Sequence, residues 1–153
     1  MKIISATTSN LNRIITLHKQ LSLPNPPNDY VWDKPSWIKQ EIEERNFWTL
    51  KIRNRNRNYT QGAICLQLDF LEDPDEAYIA SLVIDPNYHK KGLGKKLVEF
   101  AKTRAKKAGK RLLTVESLCK YHATGFYKKC GFRCSPKTGY YHGYPFFSFY
   151  MKL

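Results

Sequence analysis

The segment that decides the fold is residues 82–101, LVIDPNYHKKGLGKKLVEFA. Its first residues complete an almost continuous apolar run, 77–84, which is typical of a strand covered on both faces and therefore central in a sheet. A basic turn containing glycine follows at 86–92, and apolar residues then recur at helical spacing as far as Ala108. The segment therefore predicts a central strand, a tight turn and a long helix, in this order.

The turn between this strand and this helix is suited to an anion. The first amides of a helix lack intrahelical acceptors and lie at the positive end of its dipole, so they can hold a phosphate or a diphosphate. Gly92 and Gly94 would let that phosphate approach the backbone without a Cβ in the way. Nearby basic side chains add a positive field, and these are His89, Lys90, Lys91, Lys95 and Lys96. Similar glycines also occur where a helix only packs closely on a sheet, so the local pattern leaves both interpretations open.

Two common nucleotide-binding patterns are missing from this segment. It contains neither GxxxxGK[ST] nor a full GxGxxG, because Leu97 is the third residue after Gly94. Their absence argues against an ordinary nucleotide hydrolase or a dinucleotide site.

Apolar periodicity along the rest of the chain predicts alternating strands and helices in one domain, residues 1–153. Strand-like runs lie at 2–6, 47–52, 62–71, 111–118, 132–135 and 146–153, and helical runs lie at 11–21, from Pro35 onward and at 122–131. The second and third strands are joined by RNRNRNYTQ, 53–61, which predicts an antiparallel hairpin. Its basic tip is either an RNA contact or a solvated turn.

Charge is distributed unevenly along the chain. Residues 1–87 carry 10 Lys and Arg against 11 Asp and Glu, whereas residues 88–153 carry 16 against 2. A basic C-terminal half indicates an anionic partner on that side, which can be a nucleic acid, a membrane surface or a phosphorylated cofactor.

Cysteine spacing and hydropathy exclude other classes. The cysteines at 65, 119, 130 and 134 form no CxxC pair and match no zinc spacing, so we expect reduced thiols and no metal site. No stretch approaches the ~20 apolar residues that span a bilayer, and the N-terminal apolar run is too short for a signal peptide. We therefore expect a cytoplasmic protein without a membrane partner.

A second pattern, AxxxYKKCGF at 123–132, lies about 30 residues after the glycine turn. Together the two segments resemble the GNAT family of N-acetyltransferases, which has a strand ending near a proline, then [QR]xxGx[GA] and a helix, and later an Ala and a Tyr four apart before a Gly-Phe pair. Two residues depart from this pattern. His89 stands where the family usually has Gln or Arg, and Lys120 stands where many members have Asn.

The resemblance implies an α/β (α+β) fold with a mixed, mostly antiparallel central sheet of six to seven strands flanked by about four helices. It also implies a splay between the fourth and fifth strands, and acetyl-CoA as cosubstrate. The pantetheine arm would pair with the main chain of Leu82, Val83 and Ile84, and the diphosphate would lie on the amides of His89, Lys90, Lys91, Gly92, Leu93 and Gly94. Lys95, Lys120 and Tyr127 complete the implied cofactor contacts.

For catalysis, the resemblance assigns Tyr127 as the general acid beside the thioester sulfur. A phenol is protonated at neutral pH and can protonate or hydrogen-bond a departing thiolate. The acceptor ammonium must also lose a proton, and the candidate bases are Glu116, Glu76 and Glu72. The alternatives are a packing role for the tyrosine and a solvated or ion-paired role for each carboxylate.

The implied activity is N-acetyl transfer to a primary amine by direct attack. The acceptor can be a small molecule, a polyamine, a protein or peptide amine, or a nucleic-acid-associated molecule, and Tyr140, Tyr141 and Tyr144 are expected on a loop that could line its pocket. We expect a monomer or a homodimer. Two other classes stay open, namely a basic nucleic-acid-binding module and a catalytically silent relative that binds CoA.

Overall fold

The structure is a computed structural model that describes the backbone of residues 1–54 and 57–153, and the side chains of these residues except 54, 57 and 58. Most of the arginine- and asparagine-rich tip at 53–58 therefore lies outside the described residues. Its interpretation as an RNA contact or a solvated turn stays a prediction.

The described residues form seven strands and four α-helices. The strands are β1 Lys2–Ser5, β2 Phe47–Asn54, β3 Arg57–Gln67, β4 Glu76–Ile84, β5 Leu112–Leu118, β6 Arg133–Tyr141 and β7 Tyr144–Lys152. The helices are α1 Leu11–His18, α2 Pro35–Glu43, α3 Leu93–Lys107 and α4 Thr124–Lys129. Short 3-10 turns lie between several of these elements.

The strands form one mixed sheet in the order β1-β2-β3-β4-β5-β7-β6, with β4 in the middle as its apolar run predicts. The β4–β5 ladder is parallel, and β1–β2, β2–β3, β5–β7 and β6–β7 are antiparallel. The predicted mixed, mostly antiparallel sheet with four helices is therefore confirmed. The parallel ladder runs only from Glu76↔Leu112 to Ile79↔Val115, so the last five residues of β4, 80–84, have no β5 partner among the described residues.

The chain divides into two compact units, each with its own core. The first comprises Met1–Leu66 and Ser81–Phe100, and its fully buried side chains include Phe47, Leu50 and Leu97. The second comprises Gln67–Ala80 and Ala101–Leu153. Its buried side chains include Ile79, Leu113 and Phe149.

Several strand boundaries differ from the sequence prediction: β2 and β3 extend to Asn54 and back to Arg57, into the predicted connection 53–61, and β6 continues to Tyr141 instead of ending at 135. β3 ends at Gln67 instead of continuing to 71, because Leu71 and Glu72 adopt left-handed φ values of 51° and 56° in a 3-10 turn. The aromatic segment expected as a loop at 140–144 is instead a tight hairpin joining β6 and β7. His142 and Gly143 both have positive φ, 45° and 82°, and such a pair turns an antiparallel hairpin in two residues.

Candidate active site

The predicted turn follows β4 in the first unit. A 3-10 turn, Pro86–Tyr88, comes directly after Asp85, whose side chain accepts a hydrogen bond from the Asn87 amide at 2.9 Å. The chain then passes through Lys90 and Gly92, with φ values of 58° and 75°, before α3 begins. A Cβ added to Gly92 would meet no atom within 4 Å, so glycine is favoured there by the backbone angle and not by crowding.

This turn presents a row of unused amides. Lys96 N–H donates to Gly92 O at 3.2 Å and is the first amide with a helical acceptor, while His89 N–H donates to Pro86 O at 3.3 Å. Within the described part of the chain, no carbonyl accepts from the amides of residues 90–95. Exposed lysines surround them at 90, 91, 95 and 96. Donors and positive charge of this kind fit a diphosphate, so the residues present match the nucleotide end of CoA.

The end of β4 has one edge directed away from β3. Asp85 N–H donates to Gln61 O at 2.7 Å, so Asp85 and, by strand alternation, Val83 turn their backbone groups toward β3. The backbone groups of Leu82 and Ile84 therefore lie on the other edge. Ile84 O already accepts from Gln20 Nε2 and from His89 Nε2, both at 2.9 Å. The His89 side chain is therefore folded onto the strand that precedes its own turn.

Polar side chains of α1 lie against this part of β4. His18 is fully buried, donates from Nδ1 to Ile14 O at 2.8 Å and accepts at Nε2 from the Ser81 hydroxyl at 2.9 Å. Burial lowers the pKa of His18 from 6.5 to about 4, although its bond to Ile14 and the charge of Asp33 act in the opposite direction. The ring is therefore neutral, which fixes the tautomer in which Nε2 accepts.

Arg13 also reaches the end of β4, where its Nη2 donates to Asp85 Oδ2 at 2.5 Å. Burial alone raises the pKa of Asp85, but bonds from the Asn87 amide, Arg13 and the Tyr59 hydroxyl together lower it below its usual value. Neither this pair nor His18–Ser81 was found from the sequence. The only sign of these pairs in the sequence is that polar residues occur among apolar ones in α1 and at the end of β4.

Tyr127 lies in the second unit, on α4, with only 6% of its surface exposed. Its ring packs against Phe126, Phe132 and Phe149, with centroids 5.0, 5.6 and 5.0 Å away. Burial raises the pKa of Tyr127 far above its ordinary value, with a smaller contribution from Cys130. The phenol is therefore neutral throughout the physiological range, and no described residue hydrogen-bonds its hydroxyl.

The spacing of the second motif has a local cause. Tyr127 N–H donates to Ala123 O at 3.0 Å, which makes the Ala–Tyr interval one helical turn. Gly131 has φ +97° and ends the helix, and Phe132 N–H returns to Tyr127 O at 3.1 Å. The motif therefore encodes a helix with a glycine cap that holds the tyrosine carbonyl and packs Phe132 on its ring.

Two predicted carboxylates share an environment in the second unit. The Thr114 hydroxyl donates to Glu76 Oε1, and Thr114 and Glu116 lie on the same face of β5 because strand side chains alternate. The Glu116 side chain is exposed, but the protein around its carboxylate removes part of its hydration and so raises its pKa, and the negative charge of Glu76 adds to this. Glu72 is exposed in its 3-10 turn, and exposed Lys120 lies in the turn Cys119–Tyr121. The structure thus groups the turn residues with Leu82, Val83 and Ile84 in the first unit, and Tyr127, Glu116, Glu76 and Lys120 in the second.

The described residues offer no candidate for a membrane-spanning helix or a metal centre. None of the helices they form is both long and apolar enough to cross a bilayer. These residues also contain no group of three or more His, Cys, Asp or Glu side chains placed to hold a metal ion.

Comparison with known proteins gives a family and a set of similar folds. A family model described as acetyltransferase (GNAT) family matches residues 14–132. No curated protein matches the sequence significantly. Ard1 from Thermoplasma volcanium superposes with a TM-score of 0.78 at 15% identity, covering 99% of this chain and 97% of that chain.

Two further solved structures are similar over nearly the whole chain. One is the ribosomal-protein-S18-alanine N-acetyltransferase from Escherichia coli, with a TM-score of 0.72 and 20% identity over 99% of this chain and 92% of that one. The other is a chain of the NatC complex bound to Gag peptide and CoA, with a TM-score of 0.73 and 20% identity over 100% and 99%. At these identities the likeness shows a shared fold.

Proposed function

The chain belongs to the GNAT family of acetyltransferases and uses acetyl-CoA as cosubstrate, and from this premise we propose that it is an N-acetyltransferase acting on a primary amine. Transfer would proceed by direct attack in a ternary complex. The observation that carries the proposal is the turn after β4, in which left-handed Lys90 and Gly92 leave the amides of residues 90–95 without an acceptor among the described residues.

The binding residues follow from that turn. Amides within 90–95 would donate to the diphosphate, and the exposed lysines at 90, 91 and 95 would supply counter-charge. The free edge of β4 would pair with the pantetheine amides through Leu82 and Ile84. Because Ile84 O already has two side-chain donors, the backbone groups of Leu82 and the Ile84 N–H are the ones we assign to this pairing.

Bound acetyl-CoA supplies an acetyl thioester that the acceptor nitrogen attacks. A backbone N–H at Leu82 or Ile84 would donate to the oxygen on which negative charge develops, and such a donor needs no reorganisation because the strand holds it. We propose no side chain for this role.

We assign the general acid to Tyr127. Its raised pKa keeps the proton on the phenol at every physiological pH, so the donor form is always present. A full proton transfer to a thiolate is uphill from such a phenol, and we therefore expect Tyr127 to act mainly by donating a hydrogen bond to the leaving sulfur.

We assign the base that deprotonates the acceptor ammonium to Glu116, coupled to Glu76. A carboxylate with a raised pKa binds a proton more readily than an ordinary glutamate, and this is the property a base near neutral pH requires. Glu76 raises that pKa through its charge and is held by the Thr114 hydroxyl.

The experiment is release of CoA from acetyl-CoA in the presence of an amine panel. The panel would begin with N-terminal peptides and continue with polyamines and small amines. Peptides come first because one of the similar proteins is named as a ribosomal-protein N-acetyltransferase and another is bound to a peptide. Acceptor-dependent release supports the proposal. Binding of CoA without release for any amine would instead support the silent CoA-binding relative.

A further inference from the structure

Asp85 is a buried carboxylate at the junction of β4 and the turn that follows it. It is 4% exposed, and both of its oxygens are engaged. Oδ1 accepts from the Asn87 amide at 2.9 Å, while Oδ2 accepts from Arg13 Nη2 at 2.5 Å and from the Tyr59 hydroxyl at 3.3 Å. The carboxylate therefore joins a helix, a strand and the first amide of the turn.

Arg13 is fixed on three sides at this carboxylate. Besides its bond to Asp85, its Nε donates to Thr60 O at 3.1 Å, and its guanidinium carbon lies 4.2 Å from the centroid of the Tyr59 ring. A planar guanidinium can make a charge-assisted bond, a carbonyl bond and a ring contact together, which a lysine ammonium cannot reproduce. We call Arg13, Tyr59 and Asp85 the α1 clamp.

Among the described residues, the backbone on which the α1 clamp acts has a strand partner only on its β3 edge. Past Ile79, β4 has no β5 partner among the described residues, yet the turn that follows must hold its amides in one arrangement. Asp85 contributes directly, because Tyr88 N–H donates to its carbonyl at 2.8 Å while its side chain holds Asn87. The conformation of residues 85–88 therefore determines the position and the direction of the amides of residues 90–95.

We propose that Arg13, assisted by Tyr59, is a positioning residue for the diphosphate-binding turn. It does not touch the cosubstrate, and it acts by holding the Asp85 carboxylate so that the amides after it keep one arrangement. The inference rests on the proposed function, since it assumes that the turn binds the diphosphate of acetyl-CoA. Without Arg13 a buried carboxylate would lose its cation, and we expect Asp85 and the turn to rearrange.

The test compares ligands that contain the diphosphate with one that lacks it. Calorimetry would measure Kd for CoA and for its phosphoadenosine diphosphate part in the parent, Arg13→Gln, Arg13→Lys and Tyr59→Phe. Steady-state kinetics would compare acetyl-CoA with S-acetylpantetheine as donor. Lys39→Gln is the matched control, because Lys39 is an exposed cation whose nearest carboxylate, Glu43, lies 3.9 Å away on the same helix.

We expect Arg13→Gln to weaken CoA and the phosphoadenosine diphosphate about tenfold, the size typical of losing an outer group that orients a binding site. KM for acetyl-CoA should rise by a similar factor with kcat nearly unchanged, and kcat/KM for S-acetylpantetheine should stay constant. Arg13→Lys should recover part of the loss, and Lys39→Gln should match the parent.

Three results obtained with the variants overturn the inference. If Arg13→Gln folds and binds CoA with the parental Kd, the α1 clamp has only a structural role. The same conclusion follows if kcat/KM falls equally for acetyl-CoA and for S-acetylpantetheine. If Arg13→Gln fails to fold, Tyr59→Phe decides, because it removes only a hydroxyl at a half-exposed ring and should weaken CoA about threefold. Parental affinity in Tyr59→Phe then overturns the inference. If the parent itself binds no CoA, the proposed function fails as well, which separates that outcome from the others.

Discussion

At the scale of single residues, burial decides which ionisable groups keep their protons. It raises the pKa of Tyr127 and lowers that of His18, so both side chains stay neutral near pH 7, one as a donor and one as an acceptor. Partial loss of hydration, together with the charge of Glu76, raises the pKa of Glu116, which gives the second unit a carboxylate suited to accept a proton. These protonation states decide which role each side chain can take.

Replacing Tyr127 by Phe removes the hydroxyl and keeps the packed ring. We expect kcat to fall about a hundredfold, as is usual for the loss of a general acid, while Kd for acetyl-CoA changes by less than about twofold. Single-turnover kinetics and calorimetry measure the two quantities. Tyr150→Phe on β7 serves as the control, and an unaltered kcat in Tyr127→Phe would remove this residue from the mechanism.

His18 makes stability depend on pH. Its folded pKa of about 4 lies below its ordinary 6.5, so between these two pH values His18 binds a proton in the unfolded chain but not in the folded chain. The free energy of unfolding should therefore be highest above pH 6.5 and decrease by about 3 kcal/mol as the pH falls to 4. Urea unfolding between pH 7 and pH 5 isolates this effect from most carboxylates. His18→Gln should flatten that slope, and an equal slope in both proteins would contradict the assignment.

At the scale of elements, the site depends on close contact between β3 and the end of β4. A Cβ added at Gly62 would lie 2.6 Å from Ile84 Cδ1, 3.1 Å from Val83 O and 3.4 Å from Leu97 Cδ1. The strand that carries the proposed oxyanion donors therefore fits against β3 only because this position has no side chain. Gly92, in contrast, is required by its φ.

Gly62→Ala should lower the free energy of unfolding by about 1–3 kcal/mol, because the added methyl group overpacks a buried contact that includes backbone. Gly125→Ala is the matched control. Gly125 lies within α4, and its Cβ would meet nothing within 4 Å, so that change should be neutral or slightly stabilising. Denaturant unfolding of both variants measures the difference, and equal stabilities would show that β3 and β4 relax easily at Gly62.

At the scale of the whole molecule, the charge of residues 88–153 is the dominant feature, with 16 basic residues against 2 acidic ones. Some of these basic residues surround the turn at 90–96, where their charge would attract the diphosphate. The exposed basic residues of α3 beyond the first turn include Arg104, Lys106 and Lys107, for which the proposed reaction has no use. Binding of acetyl-CoA and binding of a polyanion are therefore separable properties.

Acetyl-CoA should stabilise the folded chain by mass action, by about 2.7 kcal/mol at a hundredfold excess over Kd. Thermal unfolding with and without ligand measures this, and S-acetylpantetheine provides the comparison without a diphosphate. The shift should persist at moderate salt, since backbone amides carry much of the contact. A molecule stabilised only by RNA or DNA, with an effect that decreases steeply with salt, would favour the nucleic-acid-binding class instead.

The sequence by itself determined what is local. The run 77–84, the glycine turn and the helix after it were predictable from the sequence, because the spacing of apolar residues indicates which side chains are buried and which segment is helical. Gly92 indicates a positive φ that few other residues adopt. The AxxxYKKCGF motif likewise encodes one helical turn and its glycine cap.

Only the tertiary structure decided which distant polar groups meet. Arg13 and Asp85 are 72 residues apart, and His18 and Ser81 are 63 apart, so no local pattern could pair them. The raised pKa of Glu116 depends on partial loss of hydration and on the charge of Glu76, which the parallel β4–β5 ladder brings near. Periodicity records whether a side chain is buried, but the partner it is buried against follows from the order and register of the strands and from the packing of the helices on them.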